Sequence, residues 1–246
     1  MRFSTIGLGV ALMLAPAIVT AQTARGGVAV SFEQGNVDKA SLQEAFETAF
    51  ATRIKPRQPV KFTRAVGDEG VITFEPVALY RIRGDLYALL STGSSEEQGH
   101  ASSGTNAVHY LRSAEGGWQK AGEWFGLGST GTWGNGATEW KFTRGLGKKP
   151  YMLTSGGGTW QGCSLSQTIL TELAPDAPKD RGSFTDHNSW SEESMGKNFS
   201  YDGAISTAVA DRSFTLSYKG TKNLRQQFVR QGEEYQRVSK DEIPGC

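Results

Sequence analysis

ALYRIRGDLYALL, residues Ala78 to Leu90, holds two short apolar runs on either side of a Gly84-Asp85 pair. Short apolar runs bounded by turn residues are typical of strands, so we predict strands over Ala78 to Ile82 and over Leu86 to Leu90. Glycine and aspartate between two such runs form a two-residue hairpin signal. The stretch therefore predicts an antiparallel pair of strands joined by a tight turn.

Similar segments, separated by glycine, aspartate and proline, continue along the rest of the chain. We predict further strands at Val71–Phe74, Ala107–Leu111, Gln119–Trp124, Trp140–Thr143, Tyr151–Thr154, Ser164–Leu173, Ile205–Val209, Phe214–Tyr218, Gln227–Arg230 and Tyr235–Val238. The apolar spacing of Ser164–Leu173 also fits a short helix, and both readings stay open. The predicted fold class is mainly β, an antiparallel β-sandwich or barrel-like domain with one N-terminal helix.

The N-terminal helix is predicted over Ser41 to Thr52, where apolar residues recur on one face. Ser41 and Glu44 have the spacing of a capping box, and the helix should end before Pro56. Its apolar face predicts packing against a sheet.

A polar stretch with two prolines, residues 174–183, predicts a linker or a long surface loop. It offers a subdivision of the chain. The segment that follows is small for an independent core, so we favour one β-rich domain over residues 22–246.

Residues 1–21 have the order of regions of a signal peptide, with Arg2 before the uncharged apolar run Ile6 to Leu14. We expect cleavage after Ala21 and a mature N-terminus at Gln22. The alternative, a membrane anchor, needs roughly 20 apolar residues, more than this run supplies. We therefore expect a periplasmic or secreted protein without membrane insertion.

The chain has 26 basic and 25 acidic residues, and they are interspersed. This balance lacks the basic stripe of a nucleic-acid-binding protein, and we expect a monomer that binds no nucleic acid. The two cysteines, Cys163 and Cys246, can pair in an oxidising compartment. A free thiol at the terminus and an intermolecular bridge are the alternatives.

Five of the six tryptophans lie between Gly99 and Gly162, in a glycine-rich region. Trp133, in the loop Gly126 to Gly136, and Trp160 are the candidate binding residues, because an exposed tryptophan stacks on sugars or anchors a protein interface. The alternative is that the tryptophans belong to the core, above all Trp118, Trp124 and Trp140, which lie in or beside predicted strands.

Two glycine clusters in this region, residues 126–136 and 156–162, lack what a nucleotide site needs. The first has G-x-G-x-x-G spacing but is not followed by a helix, and Thr132-Trp133 replaces the lysine and hydroxyl residue of a P-loop. We expect no cofactor.

The three histidines, His100, His109 and His187, match no metal-ligand spacing, and we expect no metal. Asp186-His187 near Ser183 and Ser189 has the residue types of a hydrolase but no nucleophile elbow. We interpret all of them as ordinary loop residues, which leaves any catalytic residues unknown.

Ser103-Gly104 is followed by Thr105, Asn106 and Ala107, with the nearest tyrosine at Tyr110. In this the chain resembles the periplasmic lysozyme inhibitors, small exported β proteins that insert a Ser-Gly-x-x-Tyr loop into the enzyme's cleft. Ala107 stands at the tyrosine position of that motif. The resemblance implies a binding role for Ser103, Gly104 and Tyr110.

These observations predict an exported protein that binds a protein or glycan of the cell envelope. The most specific version of this prediction is an inhibitor or immunity-like protein that blocks a cell-wall-cleaving enzyme through the loops 103–110 and 126–136. The alternative is a hydrolase acting on envelope carbohydrate or peptide, with acids such as Glu123, Glu139 and Asp186.

Overall fold

The computed structural model describes residues 27–35, 38–95, 104–131, 134–192, 197–240 and 242–245. The predicted signal peptide, His100, Ser103, Trp133 and Cys246 lie outside these ranges. Within them the chain is mainly β, and its two antiparallel sheets, one of them a half-barrel, confirm the predicted fold class. The elements are β1 (Val28–Ala29), α1 (Lys39–Ala49), β2 (Phe62–Ala65), a 3-10 turn (Gly67–Glu69), β3 (Val71–Arg83), β4 (Leu86–Ser95), β5 (Thr105–Ala114), β6 (Gly117–Phe125), β7 (Glu139–Thr143), β8 (Tyr151–Trp160), β9 (Cys163–Leu173), β10 (Pro178–Glu192), β11 (Lys197–Val209), β12 (Ser213–Gly220), β13 (Leu224–Gln231) and β14 (Glu234–Arg237).

The five-stranded sheet has the order β2-β3-β4-β5-β6, so each strand pairs with its neighbour in sequence. The predicted hairpin is confirmed, because Gly84 and Asp85 form the turn between β3 and β4. Gly84 has a φ of 50°, and Arg81 Nε donates to its carbonyl at 2.7 Å. Glycine reaches such positive φ values without steric cost.

The nine-stranded sheet runs from β7 to β14 in sequence order, and β1 pairs with β11. The region predicted as either strand or helix, Ser164–Leu173, is strand β9. The prediction of a linker at residues 174–183 is wrong, because β10 begins at Pro178, which pairs directly with Leu173 of β9. Its two prolines occupy a short hairpin turn and the first position of a strand, where no ladder donor is required. The single-domain assignment stays a prediction.

Helix α1 begins earlier than its capping box predicts. The N-cap is Asp38, whose carboxylate accepts from the Ser41 amide at 2.9 Å and from the Ser41 hydroxyl at 2.7 Å. Ser41 therefore lies in the first turn, because aspartate is an equally strong N-cap residue three positions upstream. The helix buries Ala45, Phe46 and Ala49 against the five-stranded sheet, which confirms its predicted packing.

The five-stranded sheet lies between helix α1 and the nine-stranded sheet. Alternate residues of β3 face opposite ways, so that Leu79 packs under the helix while Tyr80 packs toward the other sheet. There the rings of Tyr80 and Phe142 stack with centroids 4.4 Å apart. Among the described residues, none of the helical segments has the length and apolar character needed to cross a membrane.

Candidate functional site

A polar groove of about 510 Å³ crosses five neighbouring strands, β7 to β11, of the nine-stranded sheet. Serine, threonine and glycine make up more than half of its described lining residues, and Leu165 is the only large apolar residue among them. Its charged and titratable lining groups are Glu139, Lys141, Asp186, His187 and Asp202. The groove therefore presents hydrogen-bond donors and acceptors over most of its surface.

A β-bulge explains why two neighbouring residues both face this groove. The pairing of β10 with β9 shifts between Thr185 and His187, which leaves Asp186 as the extra residue. A bulge re-aims side chains that strict alternation would place on opposite faces. Asp186 and His187 consequently line the groove together.

Asp186 ends a short chain of hydrogen bonds in the floor of the groove. Its Oδ2 accepts from Thr168 Oγ1 at 2.6 Å, and the hydroxyls of Thr168 and Ser155 are 2.6 Å apart. Thr168 and Ser155 are buried, and they pair in register across β8 and β9. The second carboxylate oxygen, Oδ1, is also buried and accepts no hydrogen bond from the residues that the structure describes. Asp186 thus holds a fixed acceptor in the groove.

His187 connects two further polar side chains. Its Nδ1 lies 2.7 Å from Asp202 Oδ1, and its Nε2 lies 3.0 Å from Ser189 Oγ. The His187 side chain is 37% exposed and that of Asp202 is 71% exposed. The three groups form one hydrogen-bonded chain that solvent can reach.

Glycine at position 157 keeps the groove open at the level of the main chain. A Cβ atom on Gly157 would lie 1.8 Å from the carbonyl oxygen of Leu165 on the paired strand. No side chain can be accommodated at that distance, so any other residue would push β8 and β9 apart.

The glycine-rich loop Gly126 to Gly136 is tied to both sheets. The Gly128 carbonyl accepts from Asn106 Nδ2 at 2.8 Å and from Thr154 Oγ1 at 2.7 Å, and its amide donates to Asp180 Oδ2 at 3.2 Å. Asn106 belongs to the five-stranded sheet, whereas Thr154 and Asp180 belong to the nine-stranded one. Gly128 has a φ of 65°, a conformation that glycine adopts freely.

The second half of the same loop is held at the ends of β4 and β5. The Ser95 amide donates to the Gly134 carbonyl at 2.7 Å, and the Gly104 amide donates to the Asn135 carbonyl at 2.6 Å. Trp133, which precedes Gly134, lies outside the described residues.

The structure separates the residues that the sequence put forward for binding. Gly104 is buried beside the loop, and Tyr110 is buried between the sheets, where its hydroxyl donates to the Ala174 carbonyl at 2.8 Å. Trp160 is 38% exposed at the end of β8, and strand alternation places it on the face opposite Thr159, which lines the groove. Trp118, Trp124 and Trp140 are partly buried against the cores.

His109 and His187 are strand residues, so the prediction that both lie in loops is wrong. His109 is fully buried under helix α1, with its ring 4.6 Å from that of Phe50. Its Nε2 is 3.4 Å from Glu123 Oε2. Burial lowers the pKa of His109 to about 4, although the Glu123 carboxylate acts in the opposite direction.

The candidate acids fall in two places. Glu139 and Asp186 line the groove together, whereas Glu123 lies beside His109 on the helix side of the other sheet. The residues around Asp202 in the sequence give no sign that it belongs to this site. Its contact with His187 depends on the strand register, which pairs the two residues.

Another charged cluster lies in the interior near one end of the nine-stranded sheet. Glu172 is buried and accepts from Lys149, Arg181 and the Tyr151 hydroxyl. Burial alone would raise the pKa of Glu172, but the hydrogen bonds from Lys149 and Arg181 outweigh burial and lower it to about 2. The Glu172 carboxylate is thus held by three partner side chains, which indicates a structural role.

Within the ranges that the structure describes, no three histidine, cysteine, aspartate or glutamate side chains converge to hold a metal ion. Comparison with protein families, with curated proteins and with solved structures finds no match for this chain. The observations that define its class are therefore the two-sheet antiparallel fold and the polar groove on the larger sheet.

Proposed function

We propose that the protein is an exported binding protein of the cell envelope and that its ligand is a glycan bound in the polar groove. Export is expected from the signal-peptide pattern of residues 1–21. A glycan fits because its hydroxyls both donate and accept hydrogen bonds, and the groove offers hydroxyls, carboxylates and an imidazole.

The single observation that carries this proposal is the orientation of Asp186. Its Oδ1 is buried and has no donor among the described residues, while Thr168 fixes the other oxygen. A buried carboxylate oxygen without a donor costs free energy. A small rotation of the carboxylate toward the groove would let a sugar hydroxyl donate to this oxygen.

An adjoining hollow of about 260 Å³ extends the groove along β7. It shares Thr138, Glu139, Lys141 and Ser155 with the groove and adds Trp140. The part of the Trp140 indole that reaches this hollow can supply apolar contact to a sugar ring beside the polar groups. The extension gives room for more than one sugar unit.

A second candidate function is an inhibitor or immunity-like protein against a cell-wall-cleaving enzyme. In that function the contacts come from the loop 126–136, with Trp133 as the side chain presented to the enzyme, because residues 105–110, also predicted to contact the enzyme, belong to the buried part of strand β5. The hydrogen bonds of Gly128 and Gly134 support this function, because they hold the loop on both sides of Trp133.

We also propose the disulfide between Cys163 and Cys246. Cys163 is buried, and its Sγ lies 3.7 Å from Asn188 Oδ1. The side-chain amide of Asn188 donates to the Pro244 carbonyl, so the chain passes close to Cys163 two residues before Cys246. A bridge here would fasten the C-terminus to the start of β9.

The glycan proposal is tested by titrating the protein with peptidoglycan fragments and other envelope oligosaccharides in a calorimeter. We expect Asp186→Asn to weaken binding roughly 10- to 100-fold, the usual effect of losing a hydrogen bond to a charged group. The matched control is Asp176→Asn, an exposed aspartate in the β9–β10 turn, which should bind as the parent does. Equal affinity of the two variants, or no binding of any glycan by the parent protein, would contradict the proposal.

A further inference from the structure

Ser189, His187 and Asp202 form a hydrogen-bonded chain. Its arrangement is that of a nucleophile, a general base and a group that orients the base. Ser189 and His187 are two residues apart on β10, so their side chains share one face of the sheet. Asp202 is the residue of β11 paired directly with His187. Serine hydroxyl to imidazole is 3.0 Å, and imidazole to carboxylate is 2.7 Å.

These contacts have a defined chemical consequence. With the imidazole proton on Nδ1 and donated to Asp202, the Nε2 lone pair points at the Ser189 hydroxyl and can take its proton. The Asp202 carboxylate also stabilises the imidazolium that forms. We infer that Ser189 is the nucleophile of an esterase centre at the edge of the groove, with His187 as general base and Asp202 as a positioning residue.

Hydroxyl groups next to Ser189 can stabilise the negative charge of a tetrahedral intermediate. Ser164 pairs with Ser189 across β9 and β10, which brings their Cβ atoms within about 5.5 Å. The Ser164 hydroxyl is in turn 2.6 Å from the Thr159 hydroxyl. The oxyanion would therefore be held by side-chain hydroxyls, since the amides around Ser189 belong to strand ladders on both sides.

The reaction balances without any cofactor. Ser189 Oγ bonds to the ester carbonyl carbon while its proton moves to His187 Nε2, and His187 returns this proton to the departing alcohol as the ester bond breaks. Water then attacks the acyl-serine, giving its proton to His187. The bond to Ser189 Oγ breaks, His187 reprotonates that oxygen, and a carboxylic acid leaves.

The groove indicates which esters could enter. Among the described lining residues, Leu165 is the one large apolar side chain beside hydroxyls, charged groups and glycines, so a long acyl chain finds little apolar contact there. A short acyl group on a hydroxyl of a polar ligand fits both the lining and the position of Ser189. This substrate class, an O-acylated glycan, rests on the proposed function, whereas the assignment of the nucleophile rests on the hydrogen-bonded chain alone.

The test uses the full protein with a fluorophosphonate probe, which reacts with activated serines, and with p-nitrophenyl acetate as a minimal ester. We expect the probe to be attached to Ser189 by peptide mass mapping. Ser189→Ala should abolish labelling and lower ester hydrolysis at least about 100-fold, and His187→Gln should lower both by about 100-fold or more. The matched control, Ser183→Ala, removes an exposed hydroxyl of the same strand that does not line the groove, and it should leave both unchanged.

The variant Asp202→Asn tests whether Asp202 positions the His187 imidazole or only stabilises the fold. It should slow labelling and also change the dependence of the labelling rate on pH, because it alters the proton position on His187. Folding of each variant is checked by circular dichroism.

Absence of labelling in the folded parent protein, labelling at another serine, or unchanged hydrolysis in Ser189→Ala would each overturn the assignment. Glycan titrations on Ser189→Ala keep the two proposals apart. If Ser189→Ala still binds glycan but is no longer labelled, the result supports both the glycan site and the nucleophile. If the parent protein is labelled at Ser189 but binds no glycan, the nucleophile is supported and the glycan site is refuted.

Discussion

Acidification should destabilise the protein through His109, whose imidazole is buried among Phe50, Phe125 and the five-stranded sheet. The unfolded chain takes up a proton on this ring near its ordinary pKa of 6.5, whereas burial lowers the pKa in the folded protein to about 4. The stability contributed by the neutral ring is therefore fully present above about pH 6.5. It falls as the pH drops and levels off below about pH 4.

The size of the effect follows from the pKa difference. One pKa unit corresponds to about 1.4 kcal/mol. The whole shift of the His109 pKa, from 6.5 to about 4, therefore corresponds to about 3 kcal/mol of unfolding free energy. Between pH 7 and pH 5 the same linkage gives about 2 kcal/mol. Glu172, whose pKa is lowered to about 2, stays ionised in the folded protein over this interval and does not obscure the change.

Urea denaturation at pH 7 and at pH 5, followed by tryptophan fluorescence, measures this loss in the free energy of unfolding. The comparison protein is His109→Leu, in which an apolar side chain of similar size replaces the buried imidazole. Within the described residues neither ring nitrogen makes a hydrogen bond, and Nε2 has only its 3.4 Å contact with Glu123 Oε2. We expect it to lie within about 1.5 kcal/mol of the parent at pH 7 and to lose about 2 kcal/mol less on acidification. Equal losses in the two proteins, with equal denaturant slopes, would refute the assignment to His109.

Three further outcomes are expected. Glu172→Gln should lower the free energy of unfolding by about 3 to 5 kcal/mol in urea, because it leaves the buried guanidinium of Arg181 with less compensating charge; a loss below about 1 kcal/mol would contradict a structural role. Trp133→Ala should change stability by less than about 0.5 kcal/mol if this side chain serves a partner, and a loss of about 3 to 5 kcal/mol would place it in the core instead. Intact-mass measurement of exported protein should show a chain that begins at Gln22 and exposes no alkylatable thiol before reduction; a retained Met1 or two reactive thiols would contradict export with cleavage or the disulfide, respectively.

Local patterns predicted most of the strands, because turn residues and short apolar runs act within a few positions of each other. The β3–β4 hairpin depends on Gly84 and its neighbours alone, and it is where the sequence placed it. The start of α1 was misplaced because Asp38 and Ser41 are both good N-caps, and the choice between them depends on how the chain enters the helix. The proline-containing stretch predicts a linker because two prolines in a polar context do not reveal that β9 and β10 pair across them.

The groove was beyond prediction from local patterns for a different reason. Asp202 reaches His187 through strand register, and Asp186 faces the groove through a bulge, and neither depends on the residues adjacent to them in sequence. The motif around Ser103 predicts a binding role for Tyr110, yet the position of Tyr110 in β5 places it between the sheets. The assembled fold decides which face of a strand is buried against the other sheet, and the sequence of that strand alone does not.

The sequential order of strands has a consequence for how the protein folds. Every step from β2 to β6 and from β7 to β14 joins strands adjacent along the chain, so most of both sheets can grow hairpin by hairpin without closing a long loop. The pairing of Val28 with Ala208 is different, because it joins the first described strand to the eleventh. Strand β1 has two residues, and Val28 is 74% exposed. The entropy of closing so long a loop is recovered only after β11 is in place, so β1 should add last and detach first, and its amides should exchange with solvent faster than those of β11.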